Sequence, residues 1–143
     1  MRITLMTTLV FVSWFTNAQL RPFYSVTANK YGYINTTGKV IVEPYYDFAW
    51  SFTEGMSPMK LNQKYGYINE RGAVIVPPIY DYAWMFSDGL SVVKVGEKFG
   101  FINKTGKLVI PAIYDRADNF HVDRANVCLA GKWSVMIYPV KTK

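Results

Sequence analysis

Short runs rich in aromatic and β-branched side chains, each broken by turn residues, recur along this chain with a period of 34 residues. The first run of each period, strand A, covers 30–34, 64–68 and 98–102. It reads Lys-Tyr-Gly-Tyr-Ile twice and Lys-Phe-Gly-Phe-Ile once. Short aromatic and β-branched runs bounded by turn residues predict strands. Asn-x-x-Gly follows each time, at Asn35 and Gly38, Asn69 and Gly72, and Asn103 and Gly106. Asparagine opening a type I turn, with glycine in the left-handed position, predicts a three-residue hairpin loop with a bulge. Strand B follows at 40–42, 74–76 and 108–110. Pro44, Pro77, Pro78 and Pro111 are expected to end it, because proline has no amide to give to a ladder. After a connection, strand C runs over 57–61, 91–95 and 125–129, and a two-residue turn returns it to the next strand A.

Turn length sets the register of each hairpin. The two-residue turn places Leu61 opposite Lys64, Lys60 opposite Tyr65 and Met59 opposite Gly66. The bulged turn places Ile34 opposite Val40, Tyr33 opposite Ile41 and Gly32 opposite Val42. One face then carries Gly32, Ile34, Val40 and Val42, and the other Tyr31, Tyr33 and Ile41. Both are apolar, so each sheet is expected to be covered on both sides. The repeated glycine is expected to let bulk such as Met59 or Val93 lie against strand A. The connection reads Tyr46-Asp47-x-Ala49-x-x-Phe52 and recurs from Tyr80 and from Tyr114. Its tyrosines and phenylalanines are expected to pin it to a sheet face, each ring worth roughly 1.5–3 kcal/mol of burial. Asp47, Asp81 and Asp115 are expected to accept local backbone N–H groups in an Asx-type turn.

A fixed period of this length marks a stacked repeat architecture. The fold class expected is all-β: antiparallel three-stranded units at 30–63, 64–97 and 98–131, with a truncated fourth unit at 132–143, in an open, twisted array. Residues 19–29 supply a capping strand that aligns with strand C. Three units are too few for a closed propeller. A compact pseudo-threefold, trefoil-like form is the alternative.

The N-terminus changes the picture of location. Arg2, an apolar run over 3–15 and Thr16-Asn17-Ala18 fit a signal peptide cleaved near Ala18. Thirteen apolar residues are too few for a membrane span, which needs about 20, and no later segment is long enough. No cysteine sits at the cleavage site to carry a lipoprotein anchor. The expected location is secreted or periplasmic. Loss of Arg2 takes the sixteen basic residues to fifteen and the net charge from +6 to +5. That charge favours anionic partners, but it is dispersed and the export signal argues against nucleic acid. Cys128 is the only cysteine, so no intrachain disulfide forms. Its counterparts in the other units are Lys60 and Lys94, so the slot does not require sulfur.

The pattern Lys-aromatic-Gly-aromatic-Ile, then Gly with a Val/Ile/Leu run and Pro, then Tyr-Asp-x-Ala-x-x-Phe-x-x-Gly resembles the WG-repeat family from Lys30 to Ile137. The name-giving Trp-Gly pair is replaced by Tyr31-Gly32, Tyr65-Gly66, Phe99-Gly100 and Trp133-Ser134, each keeping an aromatic ring. The resemblance implies an all-β repeat fold common in bacterial exported or surface proteins. It implies an interaction module with no shared catalytic residues.

The chain offers little for catalysis. His121 is the sole histidine, in a slot held elsewhere by Thr53 and Ser87. Neither a metal cluster nor a nucleophile with a partner base is legible. Asp81 and Asp88 could flank a glycosidic bond, but Asp47 and Glu54 repeat the pair, which suits a turn device. No cofactor and no enzymatic activity are expected. Two features stand out as binding candidates. Trp50 and Trp84 share a slot that becomes Asp118, and loop tryptophans can serve as stacking platforms. Lys60 beside Tyr65 and Lys94 beside Phe99 would set cations against rings on one face. Local packing is the first explanation of each: rings packed within the fold, and lysine stems lying on rings with their ammonium groups in water. The function expected is a non-enzymatic interaction module for a protein or envelope component, with a carbohydrate-binding protein using the tryptophans as the alternative.

Overall fold

In a computed structural model that describes residues 19–138, the chain forms four antiparallel sheets in succession. The expected signal peptide, 1–18, lies outside the described residues. The first sheet holds β1 (Arg21–Ser25), β2 (Lys30–Ile34) and β3 (Val40–Tyr46). The second holds β4 (Phe48–Ala49), β5 (Met56–Leu61), β6 (Lys64–Asn69) and β7 (Val74–Tyr80). The third repeats this as β8 (Tyr82–Ala83), β9 (Leu90–Val95), β10 (Lys98–Asn103) and β11 (Leu108–Tyr114). The fourth holds β12 (Arg116–Ala117), β13 (Arg124–Leu129) and β14 (Lys132–Ile137). The connections are thus partly strand. β4, β8 and β12 add a short strand beside strand C, so the inner sheets have four strands rather than three.

The turns follow the sequence. Asn35 Oδ1 accepts from the amides of Thr37 and Lys39, and Gly38 takes a φ of 85°. The two-residue turns fix Met59 opposite Gly66 and Lys60 opposite Tyr65, as expected. The Val122-Asp123 turn, which replaces Glu54-Gly55 and Asp88-Gly89, holds Val122 at a φ of 49° and Asp123 at 60°. A β-branched residue is strained there. Replacing the pair with Asp-Gly (V122D/D123G) is expected to raise stability by about 1 kcal/mol, read as a higher urea midpoint with an unchanged m-value.

Strand B departs from expectation. It does not stop at its prolines but runs on to Tyr46, Tyr80 and Tyr114. β3, β7 and β11 are edge strands, so a missing amide costs little on the open side. The prolines occupy a bulge. Tyr33 lies opposite Val42, not Ile41, and Tyr31 lies opposite Tyr46, so residues 43–45 bulge past Gly32 alone. This also corrects the role of the glycine. A Cβ on Gly66 would meet the backbone of its own bulge, at Val76 O and at 2.8 Å from Pro78 N, rather than the side chain of Met59.

Both faces of the inner sheets are covered. Tyr33 and Tyr46 of the first sheet pack with Ala49, Met59 and Ile68 of the second. Tyr67, Val76 and Tyr80 of the second pack with Ala83, Val93 and Ile102 of the third. Phe101 and Ile110 of the third pack with Ala125 and Val127 of the fourth. Among the described residues, these buried clusters join neighbouring sheets and none joins the first sheet to the last. The array is open, and the trefoil-like alternative is not formed. Tyrosine hydroxyls cross two of these layers. Tyr33 Oη lies 2.9 Å from Ser57 Oγ, and Tyr67 Oη lies 2.8 Å from Ser91 Oγ. In the third layer Phe101 meets Ala125, and both hydroxyls are gone together.

Candidate functional site: an aromatic ribbon with lysines

Strand register builds the site. Each sheet carries one cross-strand row at the same level. In the second sheet it runs Phe48, Lys60, Tyr65 and Tyr80 across β4 to β7. In the third it runs Tyr82, Lys94, Phe99 and Tyr114. The first sheet contributes Tyr24, Tyr31 and Tyr46. Sheet stacking then sets these rows side by side. Tyr24 touches Tyr31, Tyr31 touches Phe48 with centroids 4.9 Å apart, and Phe48 touches Trp50 at 4.2 Å. Trp50 touches Tyr65, which touches Tyr82, and Tyr82 contacts both Trp84 and Phe99. The result is one continuous ribbon of eight rings over three sheets.

All six residues singled out in the sequence lie on this ribbon. Lys60 Nζ sits 5.3 Å from the centroid of Tyr65, and Lys94 Nζ sits 5.7 Å from that of Phe99. Trp50 is half-buried and Trp84 is 38% exposed. A cleft of about 460 Å³ opens at the second row, lined by Asp47, Phe48, Trp50, Lys60, Gln63 and Tyr65. The two lysines differ in charge state around them. Lys94 pairs with Glu97 at 3.2 Å, whereas the position three after Lys60 is the uncharged Gln63. The ribbon stops at the fourth sheet, whose row reads Arg116, Cys128 and Trp133, with Asp118 in the tryptophan slot accepting from Asn126 Nδ2.

Sequence reasoning missed Tyr24, Tyr31, Phe48, Tyr82 and Gln63 as members. A signal existed for two of them. The slot after Asp47 is aromatic in the first two copies (Phe48, Tyr82) and Arg116 in the third. It changes in the same copy as Trp50, Trp84 and Asp118.

The aspartates frame the ribbon without being free to react. Asp47 pairs with Lys30 through Oδ1 and accepts the Asn62 amide at 2.7 Å through Oδ2. Asp81 does the same with Lys64 and the Gly96 amide, and Asp115 with Lys98 and the Ala130 amide. The expected local Asx turn is therefore replaced by a clamp. The carboxylate ties the start of one strand A to the next sheet's hairpin turn, because the chain bends between sheets at this residue. The lysine hydrogen bond, and then the backbone amide, hold all three carboxyls below the usual carboxylate range. A carboxylate whose folded pKa is depressed stabilises the fold above its unfolded pKa and loses that contribution as pH falls through the folded value. The triple variant D47N/D81N/D115N is thus expected to be less stable than wild type at pH 7. The gap should close on acidification below about pH 4, and 1 M salt should narrow it at neutral pH, since these pairs are solvent-exposed. Urea unfolding at a series of pH values reads it.

Among the described residues no helix is long and apolar enough to cross a membrane. His121 is exposed and Cys128 is buried as a free thiol.

An open stack of β-hairpin units with a regular edge row defines a repeat-array protein. The chain belongs to the WG-containing repeat family, which matches it over residues 31–65, 65–99 and 99–133. The three matched units begin at Tyr31, Tyr65 and Phe99, which supply three of the ribbon's eight rings. No curated protein and no solved structure matched the chain.

Proposed function

We propose that this protein is an exported, non-enzymatic interaction module that holds a protein or envelope component on the aromatic ribbon. The observation that carries this reading is the ribbon itself. Eight rings and two lysines converge on one side of the array, around a cleft, in a fold whose other recurring residues already have structural work. The signal-like N-terminus supports export. Clustered, partly exposed aromatic rings are the composition that interface cores favour. The test is affinity capture from the native envelope fraction, comparing wild type with W50A/W84A. Capture is expected to fall at least tenfold while the thermal midpoint moves by only a few degrees. Unchanged capture by a folded double variant removes the ribbon from the function.

Tyr82 and Trp84 favour a second reading. Their rings are nearly parallel, 9° apart, and Trp84 is exposed, which is a geometry suited to stacking on a sugar. A glycan array without hits at high protein concentration excludes it.

A further inference from the structure

We infer that the ribbon takes a proline-rich peptide in the polyproline II conformation, an inference that rests on reading the ribbon as a protein-binding surface. Ring geometry is the first ground. Tyr31 and Phe48, Trp50 and Tyr65, and Tyr65 and Tyr82 meet at 45°, 42° and 52°. Tilted neighbours leave notches between ring edges rather than a flat platform. Prolyl rings fill such notches, as in the aromatic-lined grooves that read proline-rich segments. A sugar would find one near-parallel pair.

Hydrogen-bonding capacity is the second ground. The clamps already occupy both oxygens of Asp47 and of Asp81, so the groove's carboxylate acceptors are used. Trp50 and Trp84 use their main chain in hydrogen bonds, and neither indole N–H has a partner among the described residues. Indole N–H and the Lys60 ammonium only donate. A polyproline backbone has carbonyls and no amides, so it offers only acceptors. The unpartnered indole and ammonium donors suit a ligand whose backbone only accepts.

Spacing is the third. Stacked sheets repeat at about 10 Å, and one polyproline turn of three residues rises about 9.3 Å. Each turn therefore presents an equivalent residue to successive rows, and three rows correspond to nine residues.

The experiment is isothermal titration of the full chain with proline oligomers of six, nine and twelve residues, a nine-residue Gly-Ser peptide and a gluco-oligosaccharide. Affinity is expected to rise about tenfold from six to nine residues and to change less than twofold from nine to twelve. The Gly-Ser peptide should bind at least tenfold more weakly than the nonamer. W84A, at an exposed position, should lose at least tenfold. Equal affinity for all peptides, or binding of the oligosaccharide alone, overturns the inference. If W50A/W84A loses its envelope partner while no proline oligomer binds, the ligand class is wrong and the surface reading stands. If the double variant keeps its partner, both fall.

Discussion

Replacing Gly66 by alanine is expected to cost this protein about 3 kcal/mol or more, the range reserved for forced overlap in a packed interior. The added Cβ would run into main chain, at Val76 O and within 2.8 Å of Pro77 C and Pro78 N. Main chain cannot swing aside as a flexible side chain can, so β6 and the β7 bulge must part. The same holds at Gly100, where Ala112 N would lie at 2.8 Å. The fourth copy supplies the control. Its counterpart is already Ser134, on β14, which among the described residues has no strand B beside it and is exposed. Where no bulge crosses, no glycine is needed. Gly66→Ser should therefore behave like Gly66→Ala, and Ser134→Gly should change stability by under about 1 kcal/mol. Chemical unfolding of the three variants checks this.

Ser57→Ala is expected to destabilise by about 2–3 kcal/mol, well beyond the loss of one small hydroxyl. Ser57 Oγ lies 2.9 Å from the Tyr33 hydroxyl and donates to Trp50 O at 2.6 Å. Tyr33 has no exposed surface, so its hydroxyl would be stranded, and burial already pushes that hydroxyl's pKa upward. Adding Tyr33→Phe removes the stranded group. The double variant should recover about 1 kcal/mol over Ser57→Ala alone. Ser91→Ala should cost less than Ser57→Ala, because Tyr67 Oη lies 2.8 Å from Trp84 O and can donate there instead. The third layer carries the rescued state naturally, with Phe101 against Ala125. A double-mutant cycle by urea unfolding reads all of these.

The sequence showed clearly whatever depends on near neighbours. Asn-x-x-Gly and the two-residue turns specify their own geometry, so strands A and C, the Lys60–Tyr65 pair and the Lys94–Phe99 pair fell in register. Strand B was misread because proline's effect depends on whether its strand is an edge, which only sheet order tells. The aspartate clamp was missed because its partners stand 15 and 17 residues away. The Tyr33–Ser57 bond spans 24 residues, yet it left a trace: both hydroxyls vanish in the same copy. The ribbon left a similar trace at Phe48, Tyr82 and Arg116. Half of its rings escaped notice because contacts such as Tyr31 with Phe48 form only when successive sheets stack.

The division between a symmetric scaffold and a ribbon that binds can be read in one measurement. Oxidative footprinting of the protein, alone and bound to its captured envelope partner, reports solvent access ring by ring. Expected is protection at Trp50, Tyr65, Tyr82, Trp84 and Phe99, with Tyr45 and Trp133, exposed at 61% and 55% and outside the ribbon, unchanged. Protection at Tyr45 or Trp133 with an unprotected ribbon would contradict it.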